Sequence, residues 1–263
     1  MSRVSVVMST YGRNRPEGDC PNLLRRAVDS VLGQTFGDFE LVLMDDASTD
    51  GTEEVCREYA ARDSRVKLFR AKRNSGCPAK RYNDGMRLAK SDLFMFMFDD
   101  DLLYPDAVRF LLEAMDGEHK DCGMVYGLTN YVEVERNFQL LVGGEWNLHD
   151  LKKDNDFCLF LNLSVIVKRG VIDAVGGYDE SPLFRRTNDW DLWVRIGDRY
   201  KVARVTRLVG KVFQGYGDSI GKTVAVTDED RRLMAEVQAM PGRKVRLMGE
   251  MGLPTADVEG GYA

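Results

Sequence analysis

Hydrophobic positions in the first half of the chain fall into short continuous runs separated by helically spaced sets. Residues 4–8 (Val-Ser-Val-Val-Met) form a nearly unbroken, β-branched run of the kind that makes a strand buried on both faces. Leu23, Leu24, Ala27, Val28 and Val31 then recur at helical spacing. Residues 39–44 make a second strand, and Ser48-Thr-Asp-Gly51 supplies turn and cap chemistry for a helix over 52–61. A third strand over 66–69, a helix over 79–89 and a fourth strand at Leu93–Phe98 follow. Pro105 suits the first turn of a further helix that carries Leu111, Leu112 and Met115. Beyond Met124 the rhythm loosens into strands at 124–126, 163–167 and 202–212. Charged helices over 228–240 and 243–251 precede a glycine-rich tail that reads as frayed.

Repeated strand–helix alternation predicts parallel βαβ units, hence an α/β protein with a mostly parallel open sheet flanked by helices. The change of rhythm divides the chain into a regular half at 1–120, a mixed half at 121–225 and a C-terminal helix and tail at 226–263. Composition narrows the function classes. Lys and Arg number 37 against 42 Asp and Glu, a net charge of -5, which argues against nucleic acid as a partner because phosphate neutralisation needs a basic surface. Five scattered cysteines without a CxxC pair read as reduced thiols in a cytoplasmic protein. The most apolar run, Leu93–Phe98, is far shorter than the ~20 residues that span a bilayer. No transmembrane segment is expected, while a peripheral contact with a membrane surface stays open.

Open sheets of this class bind ligands beyond the carboxyl ends of their strands, so chemistry is expected there. The first strand is followed by Ser9, Thr10 and Tyr11, the second by Asp45 and Asp46, and the fourth by Asp99, Asp100 and Asp101. Adjacent carboxylates at the end of an apolar strand repel one another unless a cation neutralises them. Their hard oxygens suit Mg²⁺ or Mn²⁺, commonly held by one or two carboxylates together with substrate phosphates. An isolated Asp triplet before Pro105 would read equally well as a solvated helix start. Its place directly behind a buried strand, with the second pair at Asp45 and Asp46, favours the site.

The segments VSVVMSTYGR and FELVLMDDASTDGT, with an apolar strand ending in DDD before YPDA, resemble the inverting family 2 glycosyltransferases of GT-A fold. QTFGDFELVLMDD is similar to their spore-coat polysaccharide subgroup. The resemblance covers about residues 3–212 and is specific for fold and reaction class, not for the sugar. It implies a nucleotide-sugar-binding half at 1–120 and an acceptor and catalytic-base half at 121–225. Carried over by position, Thr10 and Tyr11 border the nucleotide base, Asp46 hydrogen-bonds it with a pyrimidine favoured, and Asp99 contacts the ribose. Asp100 ligates the metal and Asp101 lies beside it. The chain carries Phe98 at the first position of the family's usual Asp-x-Asp-Asp. Asn83 and Gly85 match the family's Arg-Asn-x-Gly, but Tyr82 stands at the Arg position and Arg81 is one place early. Lys80 or Arg81 then pairs with a phosphate, or is an ordinary exposed helix charge.

In the second half, Gly176-Gly-Tyr-Asp-Glu180 and Asn188-Asp-Trp-Asp-Leu-Trp193 resemble the family's Gly-Gly-Phe-Asp and Glu-Asp-x-Asp-Leu. The resemblance puts Asp189 at the catalytic base, and a carboxylate within reach of an acceptor hydroxyl can take its proton as the glycosidic bond forms. Read alone, Asp189 is as readily a helix cap and Asp191 a structural acid. Trp190 is the candidate for stacking on an acceptor sugar, and Trp193 is a core candidate. Asn188 replaces the usual Glu. Neither His119 nor His149 falls near 215–221, where many relatives carry a metal-completing His; the stretch 214–222 reads as a loop able to order over bound donor. The reading is a metal-dependent inverting transfer from a UDP or dTDP sugar to a hydroxyl acceptor, in polysaccharide or glycoconjugate synthesis. The alternatives are a sugar-nucleotide nucleotidyltransferase, for which Ser9-Thr-Tyr-Gly-Arg13 is too poor in glycine and basic residues, and a non-catalytic carbohydrate-binding protein on a degenerate transferase fold.

Overall fold

In a computed structural model, residues 2–13, 23–134, 136–153, 161–214, 227–240, 243, 245–247 and 258–260 are described. Four parallel strands form the middle of one sheet: β1 (Val4–Thr10), β2 (Phe39–Asp45), β3 (Val66–Ala71) and β4 (Leu93–Phe98). Helices α1 (Leu23–Leu32), α2 (Thr52–Arg62) and α3 (Pro78–Leu88) connect them. The chain continues through β5 (Leu102–Leu103), α4 (Ala107–Asp116), β6 (Met124–Glu133), β7 (Phe138–Val142) and α5 (Leu148–Lys153). It then runs through β8 (Val165–Lys168), α6 (Arg169–Val175), α7 (Asn188–Gly197), β9 (Val202–Gln214), α8 (Asp228–Ala239) and β10 (Val258–Gly260). The sheet order is β10-β3-β2-β1-β4-β8-β6-β9-β5, with β7 paired to β6. Everything beyond β4 enters with mixed polarity: β8 is antiparallel to β4 and β6, while β9 runs parallel to β6.

The central strands read as continuous apolar runs because both faces are covered. Val4, Val6 and Met8 pack with Leu41, Leu43 and the apolar stripes of α1, α2 and α4. Val7, Val42, Met44, Phe94 and Phe96 face the other way, onto residues of α3, α6 and α7. Gly85 of α3 makes this second face possible: a Cβ there would sit 2.5 Å from Val7 Cγ1 and 3.2 Å from Met44 Cγ. Gly85→Ala is therefore expected to lower unfolding free energy by about 1–3 kcal/mol through overpacking, despite alanine's better helix propensity, as a urea titration would measure.

The structure corrects the sequence reading in the second half and at the C-terminus. The strand expected at 163–167 begins at Val165, after a 3-10 turn at Asn162–Ser164, and the 124–126 strand runs on to Glu133. The short β5 and α6 and the largely exposed β7 had too little periodicity to be read from the chain. Helix α4 starts at Ala107, with Pro105 in the preceding turn. The helix expected over 243–251 is absent at Arg243 and 245–247, and Val258–Gly260 of the tail pairs antiparallel with Ala71–Phe69 of β3. The loop expected at 214–222 lies outside the described residues beyond Gln214. Cys56, Cys77 and Cys122 are free and buried. Among the described residues no helix is long and apolar enough to cross a membrane.

Candidate functional site

Register brings the strand ends together. β1 lies between β2 and β4, pairing Thr10 with Asp45 and Ser9 with Phe98. Asp46 N–H donates to the Thr10 carbonyl at 2.9 Å, so the chain leaving β2 turns across the end of β1. Thr10 is buried, its hydroxyl without a protein partner among the described residues, whereas the adjacent Tyr11 is 49% exposed. Gly12 then adopts φ 64, a left-handed conformation glycine takes without strain. Its N–H donates to Ser48 Oγ at 3.0 Å, and Arg13 N–H donates to Thr52 Oγ1 at 2.7 Å. This turn carries Arg13 over the fourth strand's acids: one guanidinium nitrogen lies 2.9 Å from Asp99 and 3.1 Å from Asp100. In sequence Arg13 only closes the VSVVMSTYGR segment, and nothing local to it points to the acids after β4.

The two acids after β2 have different partners. Asp45 accepts from the N–H and hydroxyl of Ser48 and lies 3.2 Å from Arg70 Nε, closing the turn; burial pushes its carboxyl up. Asp46 accepts from Ser75 N–H at 3.0 Å and Ser75 Oγ at 2.9 Å, and faces Arg81 Nε at 2.8 Å without hydrogen-bond alignment. Arg81 and Lys80 are not exposed helix charges. Arg81 has no accessible surface and Lys80 only 8%, because α3 lies against the sheet end and Asp84 neutralises both, at 2.9 Å and 2.8 Å. Arg81 Nη2 is buried without a protein partner among the described residues.

The three acids after β4 also diverge. Asp99 pairs with Arg13. Asp100 also pairs with Arg13, and its carbonyl accepts from Arg26; burial pushes its carboxyl up to about 6, Arg13 opposing and Asp99 adding to the rise. Asp101 is 1% exposed and accepts from the Phe213 N–H at 3.0 Å, tying the turn between β4 and β5 to β9; burial first and Asp100 second hold its carboxyl well above the usual range. No group of three or more His, Cys, Asp or Glu side chains forms a metal cage among the described residues. Two hard carboxylates that share a single guanidinium nevertheless fit a Mg²⁺- or Mn²⁺-type ion whose remaining ligands are phosphate and water.

Asp189 opens α7, where its Oδ1 accepts from the Trp190 N–H at 2.8 Å. Although the residue keeps some exposed surface, burial pushes its carboxyl up to about 6, and backbone hydrogen bonds only partly offset that. Asn188 donates to the Arg185 carbonyl at 3.1 Å, a local capping contact. Trp190 is 3% exposed and Trp193 fully buried, both in the core cluster that covers the second sheet face. The ring expected to stack on an acceptor is thus packed inside. Tyr82 joins the two halves. It is buried, stacks on Tyr178 with ring centroids 5.2 Å apart and donates to the Met97 carbonyl at 3.0 Å. Burial first, then the charges of Asp99, Asp100, Asp101 and Asp189, raise its phenol well above the usual range. The strand-end acids and the α7 acid thus all bear on the same phenol.

Three comparisons place this arrangement among known proteins. Residues 5–171 match the family described as Glycosyl transferase family 2. A "PGL/p-HBAD biosynthesis glycosyltransferase" of Mycobacterium bovis (strain BCG / Pasteur 1173P2) is 28% identical over 208 residues, covering 79% of this chain and 77% of the relative. S. aureus TarS 1-349 in complex with UDP-GlcNAc superposes with a TM-score of 0.69 at 17% identity, covering 90% of this chain and 67% of that one. The longer S. aureus TarS chain is covered to only 40%. The mannosyltransferase PcManGT of Pyrobaculum calidifontis, in complex with GDP-Man and Mn2+, gives 0.57 at 19% identity, covering 90% of this chain and 62% of that one. These structural neighbours share the GT-A fold, in which a curled, mostly parallel sheet is flanked by helices. With the family matched over more than half of its length, the chain belongs to glycosyl transferase family 2.

Proposed function

We propose that this glycosyltransferase transfers a sugar, with inversion, from a UDP or dTDP sugar to a hydroxyl acceptor, in the presence of Mg²⁺ or Mn²⁺. The observation that carries the reading is the pair Asp99 and Asp100 sharing Arg13 where the ends of β1, β2 and β4 lie side by side. Thr10 and Tyr11 would line the base, with Asp46 and Arg81 as a preset acceptor and donor pair; Asp99 would hold the ribose. The unpartnered Nη2 of Arg81 and hydroxyl of Thr10 support polar recognition there, since buried polar groups in proteins are rarely left unmatched. Asp100 is the best-placed metal ligand, and Asp101 would steady it from behind through β9. The bound ion would supply neutralisation of the donor's diphosphate. Asp189, ionised above about pH 6, would accept the proton of the acceptor hydroxyl.

TarS is described with UDP and with UDP-GlcNAc and PcManGT with GDP-Man and Mn2+, which supports the ligand class while leaving the sugar open. The burial of Trp190 favours a role in the wall behind Asp189 over direct acceptor stacking. The test is a thermal-shift panel of UDP, dTDP, GDP and CDP sugars with and without Mn²⁺. A pyrimidine nucleotide at about 100 times its Kd should add about 2.7 kcal/mol of apparent stability. Stabilisation by GDP sugars alone would overturn the pyrimidine assignment at Asp46. Stabilisation without any acceptor-dependent transfer would favour the non-catalytic reading.

A further inference from the structure

The turn at 176–180 and the start of α7 are held by a buried charge network that the proposed reaction does not use. Asp179 and Asp191 have no accessible surface, and neither can stay ionised there unpaired. Arg195 answers from one turn further along α7, at 2.8 Å from Asp191 Oδ2, and also donates to the carbonyls of Val175 at 2.8 Å and Gly177 at 2.7 Å. The second cation comes from the C-terminal part of the chain. Arg243 bridges the two acids, with Nη2 2.6 Å from Asp179 Oδ2 and Nη1 on Asp191 Oδ1, and its guanidinium covers the Phe184 ring at 4.6 Å. Gln238 of α8 adds a third contact to Asp191 Oδ1 at 2.7 Å.

The same segment lies along the turn as a strap. Glu180 N–H donates to the Arg246 carbonyl at 2.8 Å, and Val245 packs so closely on Gly176, at φ 93, that a Cβ there would meet it at 3.0 Å. From the opposite side, Asn83 of α3 exchanges hydrogen bonds with the Tyr178 backbone, both at 2.9 Å, and donates to Glu180 Oε1 at 2.8 Å. One turn is thus clamped between the donor half and the C-terminal segment, and Asp191 links that clamp to the helix turn carrying Asp189.

We infer that Arg243 is a positioning residue for Asp189: by bridging Asp179 and Asp191 it fixes the first turn of α7, and with it the base, against the donor site. The inference rests on the reading of Asp189 as base. A carboxylate displaced by even ~1 Å from the acceptor hydroxyl loses much of its effect, while the proposed donor residues at the ends of β1, β2 and β4 and Arg81 of α3 have no contact with Arg243 among those described.

The test is steady-state transfer kinetics on the full chain for Arg243→Gln, Arg243→Lys and Asp189→Asn, with donor-induced thermal shifts measured in parallel. Arg243→Gln is expected to lower kcat about tenfold or more with donor KM and donor-induced shift unchanged. Arg243→Lys, which keeps the charge but not the two-pronged bridge, should recover part of that loss. Should the Gln variant not fold, the Lys variant carries the test through the same separation of kcat from donor KM. Retained kcat, or a kcat loss matched by equal changes in donor KM and shift, overturns the inference. Transfer that survives Asp189→Asn sinks the base assignment instead, so the two failures are distinguishable.

Discussion

Asp189→Asn is expected to reduce transfer by about 10²–10⁴-fold while donor binding stays within about twofold, because an amide matches the carboxylate in shape but cannot take a proton. The fold should tolerate the change. Asp189 is a carboxyl that burial pushes from 3.8 to about 6, so its ionised form is disfavoured in the folded state and an uncharged amide removes that penalty. The sign of the linkage follows. The folded protein binds this proton more tightly than the unfolded chain, so Asp189 adds stability as pH falls from about 6 toward 4 and opposes folding above that range. Activity runs the other way, since only the ionised form is a base. In the wild type kcat/KM should rise through about pH 6 and level off above it, with the pH 5 rate about a tenth of the plateau. A rate profile that breaks near pH 4, or an Asn variant that retains transfer, would show that the proton goes elsewhere.

Asp100→Asn should have the second large effect, a loss of about 10²–10³-fold in transfer together with loss of the Mn²⁺-dependent part of nucleotide stabilisation. Asp99 and Asp100 share Arg13, and burial makes the ionised Asp100 want a cation. With Asn at position 100, Arg13 can pair with Asp99 alone, and one hard oxygen ligand of the metal is gone. Thermal shift with nucleotide over a Mn²⁺ titration, read beside initial rates, separates the two consequences. Unchanged metal dependence in the variant would remove Asp100 from the ligand set.

The first half of the fold was legible because its signals are local. Runs at 39–44 and 93–98 are apolar at every step since both faces of the sheet are covered, and acids follow them because the carboxyl ends of parallel strands open onto the site. Pattern and motif together pointed to Asp45, Asp46, Asp99, Asp100, Asp101 and Asp189 as the candidate acids. They could not give the partners. Identical neighbours such as Asp45 and Asp46 take opposite parts because one side chain turns back to Ser48 and Arg70 while the other reaches Ser75 and Arg81. Asp101 looks like Asp100 in sequence, yet one of its oxygens accepts from the Phe213 N–H, 112 positions away.

By itself the sequence determined the class of fold, the family, and the strand and helix ends that carry the acids, since each depends on contiguous residues or short motifs. Only tertiary structure decided which charges are buried and what answers them. Lys80, Arg81 and Trp190, readable on a helix as exposed, are enclosed because α3 and α7 press their flanks on the sheet. Arg243, in a segment expected to continue a helix, instead crosses to Asp179 and Asp191, 64 and 52 positions earlier. The physical reason is that a buried carboxylate must be neutralised by whatever cation the fold brings near, and separation along the chain does not limit that choice.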